Sequence, residues 1–121
     1  MIEIMSETAG SILAIKATEK LTTRDYEEVF IPKLEQLIRV FGKIRVVMCL
    51  ADNFTGWEIG AVWDDAKFVL QHRNDFERVA LVGGPKWVEW ATKISSHFIA
   101  GQIRTYDASD IQTAISWVKE Q

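Results

Sequence analysis

Two short runs, Ile44 to Leu50 (IRVVMCL) and Arg78 to Val82 (RVALV), are almost wholly apolar and rich in β-branched residues. Each suits a strand buried on both faces, which requires helices packed on either side of a sheet. The period changes after each run. Ile59, Val62, Trp63, Ala66, Val69 and Leu70 keep helical spacing up to His72 after the first. After the second, Gly83-Gly84-Pro85 turns the chain with Pro85 at a first helical position, and Trp87, Trp90, Ala91, Ile94 and Phe98 share one helical side. Strand, helix and strand in repetition imply a mainly parallel sheet with right-handed crossovers.

The flanks complete this pattern. Met1 to Ser6 and Ser11 to Ala17 alternate apolar and polar residues around Glu7-Thr8-Ala9-Gly10, which reads as a β-hairpin and supplies an antiparallel edge. From Thr22, the residues Tyr26, Phe30, Leu34, Leu37, Ile38 and Phe41 recur every three or four positions. Thr22 with Asp25 resembles a capping box, Gly42 fits the helix end, and Pro32 inside the stretch predicts a kink. Gln102 to Tyr106 reads as the last strand. A final helix follows, capped by Ser109 or Asp110, with Ile111, Ala114, Ile115 and Val118 on its apolar face. The expected order is β-β-α-β-α-β-α-β-α: an α/β fold with a mainly parallel five-stranded sheet, one antiparallel edge strand and about four helices. Residues 1–121 read as a single domain, because no linker or low-complexity stretch interrupts them.

Composition excludes several function classes. Fourteen Lys and Arg against 17 Asp and Glu leave a net charge of -3, so no overall basic field collects nucleic acid. The apolar runs fall far short of a bilayer span, which argues against integral membrane association. One cysteine, Cys49, excludes an internal disulfide and a multi-thiolate metal site. The N-terminus carries no secretory signature, so a cytoplasmic protein is expected.

Residues for catalysis are sparse. Cys49 falls in a predicted central strand and reads as a buried, inert thiol. His72 ends a helix, where an imidazolium suits the dipole, and His72 with Asp75 is too few ligands for a metal. His97 lies near Ser95 and Ser96 without an orienting acid. Asp64 and Asp65 point roughly 100° apart on a helix and make no catalytic pair by themselves. Gly83-Gly84-Pro85-Lys86 follows a strand, but it lacks the spacing of a phosphate-binding loop and reads as a turn. No enzymatic activity, cofactor or metal is expected.

Aromatic content is the distinctive feature. Of five Trp residues, four fall in or beside the two helices that flank the Arg78 strand. Periodicity places Trp63, Ile94 and Phe98 with a core. The alternative is an apolar pocket or exposed patch between the helices, formed by Phe54, Trp57, Trp63, Trp87, Trp90, Ile94 and Phe98 and rimmed by Lys86, Lys93 and His97. An apolar floor with a polar rim suits a lipid or other amphiphile, or a protein partner, and the same surface could be buried in a homodimer.

Several segments together resemble the SpoIIAA-like family, a mostly bacterial branch of the STAS-domain relatives. They are Phe76 to Gly83, Lys86-Trp87-Val88-Glu89-Trp90, Phe98, Ile103 to Asp107, Ala114 and Trp117, with Leu21-Thr22, Asp25-Tyr26 and Pro32 in the first half. The resemblance implies a mixed sheet carrying helices in a β-α superhelix, similar in fold to the CRAL-TRIO lipid-binding domains. It suggests a regulatory or binding module that takes a hydrophobic ligand or a partner through two mobile Trp-bearing helices. The better-known STAS relatives are anti-sigma-factor antagonists switched by phosphorylation in the loop after the third strand. Here that loop, Ala51 to Trp57, has Thr55 as its only hydroxyl and lacks the Asp-Ser-Ser-Gly pattern. Thr55 is therefore either a phospho-acceptor or, on residue statistics, a cap or turn hydroxyl.

Overall fold

The computed structural model describes residues 1–85 and 100–120. Its elements in chain order are β1 (Ile2–Ile4), β2 (Ile12–Ala17), β3 (Lys20–Leu21), α1 (Thr23–Asp25), a π-helical turn (Tyr26–Phe30) and α2 (Ile31–Phe41). Then come β4 (Ile44–Leu50), β5 (Gly56–Trp57), α3 (Ile59–Gln71), β6 (Phe76–Gly83), β7 (Gln102–Tyr106), a 3-10 turn (Ala108–Asp110) and α4 (Ile111–Lys119). The expected helix after Pro85 lies outside the described residues.

Five strands form one sheet in the order β1-β2-β4-β6-β7. β1 runs antiparallel to β2, and every other neighbouring pair is parallel. β4 sits at the centre, and its alternation divides the protein into two cores. Ile44, Val46, Met48 and Leu50 face Tyr26, Phe30, Leu34 and Leu37 of the first helical segment and Phe68 of α3. Val47 and Cys49 face the other way, against Ala114, Ile115, Trp117 and Val118 of α4. Burial pushes the Cys49 thiol pKa up, as expected of an inert core sulfur.

The capping box at Thr22 is formed in full. The Asp25 amide donates to the Thr22 hydroxyl at 3.1 Å, and the Thr22 amide donates to the Asp25 carboxylate at 3.0 Å. The irregularity expected at Pro32 is a π-helical turn placed just before it, closed by the Ile31 amide on the Tyr26 carbonyl. Pro32 thereby enters α2 in its first turn, where a missing N–H costs little. Gly42 ends α2 with φ of 81°, and Phe41, placed by spacing on the apolar face, is exposed.

α4 is held against the sheet by arginines. The Arg45 guanidinium donates to the Val118 carbonyl at 2.7 Å and to the Glu120 carbonyl, and Arg78 donates to the Trp117 carbonyl. These bonds satisfy carbonyls at the helix end and place positive charge at the negative end of its dipole. Arg78 and Arg104 also lie over the Trp117 ring, at 5.3 and 4.6 Å from its centroid. Trp117 is 4% exposed, so this helix is anchored by a buried aromatic ring packed against two cations that the sheet supplies. Trp117→Ala is expected to lower unfolding free energy by about 3–5 kcal/mol in urea denaturation, from lost burial and a residual cavity.

Candidate functional site

The loop after β4 returns to the beginning of the first helical segment. β5 pairs in parallel with β3, setting Lys20 against Gly56 and Leu21 against Trp57. The Thr55 amide donates to the Glu19 carbonyl at 2.7 Å, and the Glu58 amide to the Leu21 carbonyl at 2.8 Å. Phe54 is buried and meets Trp57 edge to face at 5.0 Å. The Trp57 indole donates to the Tyr26 hydroxyl at 2.9 Å.

A second clasp ties α3 to α1. The Glu58 carboxylate accepts from the Thr23 amide at 3.0 Å and from the Thr23 hydroxyl at 2.9 Å. These donors, the amide first, hold the Glu58 carboxyl below its ordinary pKa range. Glu58 is also the N-cap residue of α3, with no side-chain bond to its own helix. Thr55 lies three residues earlier and is exposed, so the reading of Thr55 as the helix cap is corrected. The clasp is close because residue 60 is glycine: a Cβ there would collide with the Thr23 hydroxyl.

α3 is inverted relative to its hydrophobic pattern. Ile59 is 79% exposed, Val62 52%, Trp63 67% and Leu70 56%. The spacing that placed Trp63 with the core therefore describes an outward apolar stripe. The inward face holds Ala61 and Phe68, with Asp64 and Asp65 between them at intermediate burial. One Asp64 oxygen, Oδ2, is shut off from solvent and has no hydrogen-bond partner among the described residues. Asp65 keeps part of its surface in solvent, but its carboxyl lies against the buried Tyr26 hydroxyl. Burial raises the Asp65 pKa to about 6, and the Tyr26 hydrogen bond offsets this only in part. Burial foremost, then the Asp65 charge, pushes the Tyr26 phenol well above its usual value.

At the other end of α3, His72 Nδ1 and Asp75 Oδ2 are 2.9 Å apart, and the His72 ring stacks on Phe68 with centroids 4.4 Å apart. His72 is thus a C-terminal fastening of the helix. Among the described residues no three His, Cys, Asp or Glu side chains converge as a metal site.

Of the residues singled out from sequence, Phe54 is core, Trp57 is half-buried and bonded to Tyr26, and Trp63 stands outward on α3. Lys86, Trp87, Trp90, Lys93, Ile94, His97 and Phe98 lie outside the described residues. Sequence reasoning missed Tyr26, Glu58 and Gly60 as site residues and considered Asp64 and Asp65 only as a catalytic pair, which it set aside. The available signal was positional: Asp64 and Asp65 stand three and four residues after Ala61, on the face that must pack inward.

The family model described as SpoIIAA-like matches residues 12–119. The chain belongs to the SpoIIAA-like family. A solved structure from Shewanella loihica PV-4, an uncharacterised protein of the DUF3478 family described as having a SpoIIAA-like fold, is similar at 34% identity. The two superpose with a TM-score of 0.73, over 97% of this chain and 93% of that one. No curated protein matches. Among the described residues no helix is long and apolar enough to cross a membrane. The SpoIIAA-like fold suggests a regulatory or binding module, and in this member α3 offers the exposed apolar surface. Gly60→Ala is expected to weaken the attachment of α3 to α1, read as faster amide hydrogen exchange over residues 59–71. Thr23→Ala in the same chain should recover part of that protection, because it removes the colliding hydroxyl.

Proposed function

We propose that this SpoIIAA-like chain is a non-enzymatic binding module that takes a small hydrophobic, lipid-like ligand against the outer face of α3. The observation that carries the reading is the outward stripe of Ile59, Val62, Trp63 and Leu70 on a helix whose acids turn inward. Leaving such side chains in water forgoes about 1.5–3 kcal/mol for each that could be fully buried, so a contiguous stripe favours something apolar that covers it. The helical spacing of Trp87, Trp90, Ile94 and Phe98 supports a second wall, with Lys86, Lys93 and His97 as its polar rim.

Native mass spectrometry of the purified protein, followed by denaturing extraction, tests the reading directly. A co-purifying fatty acid, phospholipid or isoprenoid supports it. A ligand-free mass of twice the chain would instead assign the stripe to contact between two copies. Trp63→Ala is expected to abolish oleate-dependent quenching of tryptophan fluorescence while moving unfolding free energy by no more than about 0.5 kcal/mol, as befits an exposed side chain.

A second reading, a partner switch governed by phosphorylation at Thr55, has one feature in its favour. Thr55 is exposed, in the loop that leads into β5. Intact-mass analysis of protein from its native cells shows whether Thr55 carries phosphate, and Thr55→Ala should remove that mass increment while leaving oleate binding intact.

A further inference from the structure

The sheet ends differently on its two sides. β1 has three residues, whereas β7 has five and keeps an unbroken parallel register with β6, from Arg78 opposite Gln102 to Val82 opposite Tyr106. Among the described residues no strand lies beyond β7, and no backbone group of a loop or helix bonds to residues 102–106. A strand in that position presents amides and carbonyls ready to pair, and proteins blunt such edges with proline, bulges, short strands or charge. β7 has no proline and no bulge. Its one charged residue is Arg104, and that guanidinium lies over the Trp117 ring, 4.6 Å from the centroid, which keeps it on the α4 face of the sheet.

Charge decides what fits beside this edge. Gln102, Arg104 and Tyr106 alternate onto the α4 face, with Arg78 beside them on β6. Arg78 is engaged with the Trp117 carbonyl, and Glu77 lies 3.4 Å from Arg45. Arg104 is exposed and has no carboxylate partner among the described residues. On the opposite face Ile103 and Thr105 are half-buried. Asp107 follows the strand and is exposed, so acidic groups are attracted beside Arg104 and repelled past Tyr106. A second copy of β7 is the wrong occupant. Antiparallel pairing of all five residues about a two-fold axis sets Arg104 opposite Arg104, and like charges directly opposite destabilise a sheet.

We propose that β7 is a docking edge for an extended acidic segment of another protein, which adds to the sheet as a sixth strand with a carboxylate beside Arg104 and apolar side chains beside Ile103. Main-chain hydrogen bonds supply the affinity in this mode, and alternate side chains supply the choice of partner. No residue of α3 takes part, so whatever covers the outer face of that helix leaves this edge unaffected.

The probe is an acetylated and amidated heptapeptide of alternating valine and glutamate, with lysine in place of glutamate in the control. Binding is read by isothermal titration and by amide hydrogen exchange. The glutamate peptide should bind, lose affinity as salt is raised, and protect the amides of residues 102–106 while leaving residues 59–71 unchanged. Arg104→Glu should weaken that binding by about tenfold or more and gain binding of the lysine peptide, which also shows that the variant is folded. Methylating alternate backbone amides of the peptide separates strand addition from charge attraction. One methylation pattern should abolish binding and the other should leave it intact, because only one edge of an added strand faces β7. No binding, binding without protection at 102–106, or equal effects of the two patterns would overturn the proposal. So would unchanged binding of the glutamate peptide by Arg104→Glu. Protection of the same amides on concentrating the protein alone would assign the edge to a second copy instead.

Discussion

The double-sided burial of β4 is the constraint from which the rest of the structure follows. In β4, Arg45 to Leu50 pair with β2 on one side and with β6 on the other, and Ile44 joins β6 across a register shift, so their amides and carbonyls are engaged within the sheet. Its side chains then have nowhere to go but into two separate cores. Ile44, Val46, Met48 and Leu50 demand helices on one face, while Val47 and Cys49 demand one on the other. Each buried aliphatic side chain contributes about 1.5–3 kcal/mol, so a one-residue slip would exchange the two sets and misplace the Arg45 guanidinium as well.

The two faces are closed by different physics. On the α4 side, the helix arrives last in the chain, and Arg45 and Arg78 from neighbouring strands bind its final carbonyls. The register of β4 with β6 sets these two residues opposite each other, so one strand pairing delivers both guanidiniums to one helix end. On the other face the first helical segment packs mainly through the buried side chains of Tyr26, Phe30, Leu34 and Leu37. α3 joins that layer less completely. It is fastened by Glu58 to Thr23 at one end, by His72 stacked on Phe68 at the other, and by Asp65 against Tyr26 between them.

That uneven attachment connects structure to function. A helix with an apolar outer stripe and acids beneath it gains less from docking than a normally oriented one, so it belongs to the weaker part of the fold. Function in α/β sheets commonly gathers beyond the carboxyl ends of the strands, and the loop from β4 into α3 is in that position. Exposed Trp63 and half-buried acids therefore bring apolar surface and weaker attachment together on α3.

Much of this fold was legible in the amino-acid order. The buried runs 44–50 and 78–82, the hairpin, the Thr22 capping box, Gly42 and the final helix all carry local signals that tertiary contacts reinforced. The two-residue strands β3 and β5 had no such signal, because two residues show no period. The π-helical turn was visible only as a disturbance at Pro32. Orientation of α3 was not legible either: spacing reveals that Ile59, Val62, Trp63 and Leu70 share a face, and it is silent on whether that face looks inward. Only packing decided it, through Gly60 admitting Thr23 and Tyr26 receiving Asp65, since a helix turns whichever side its fixed neighbours can accommodate. Sequence determined which elements exist and which strands are buried, because those follow from backbone bonding and burial along the chain. Tertiary structure determined which residues form the candidate site, because that depends on side chains some forty positions apart meeting around one phenol.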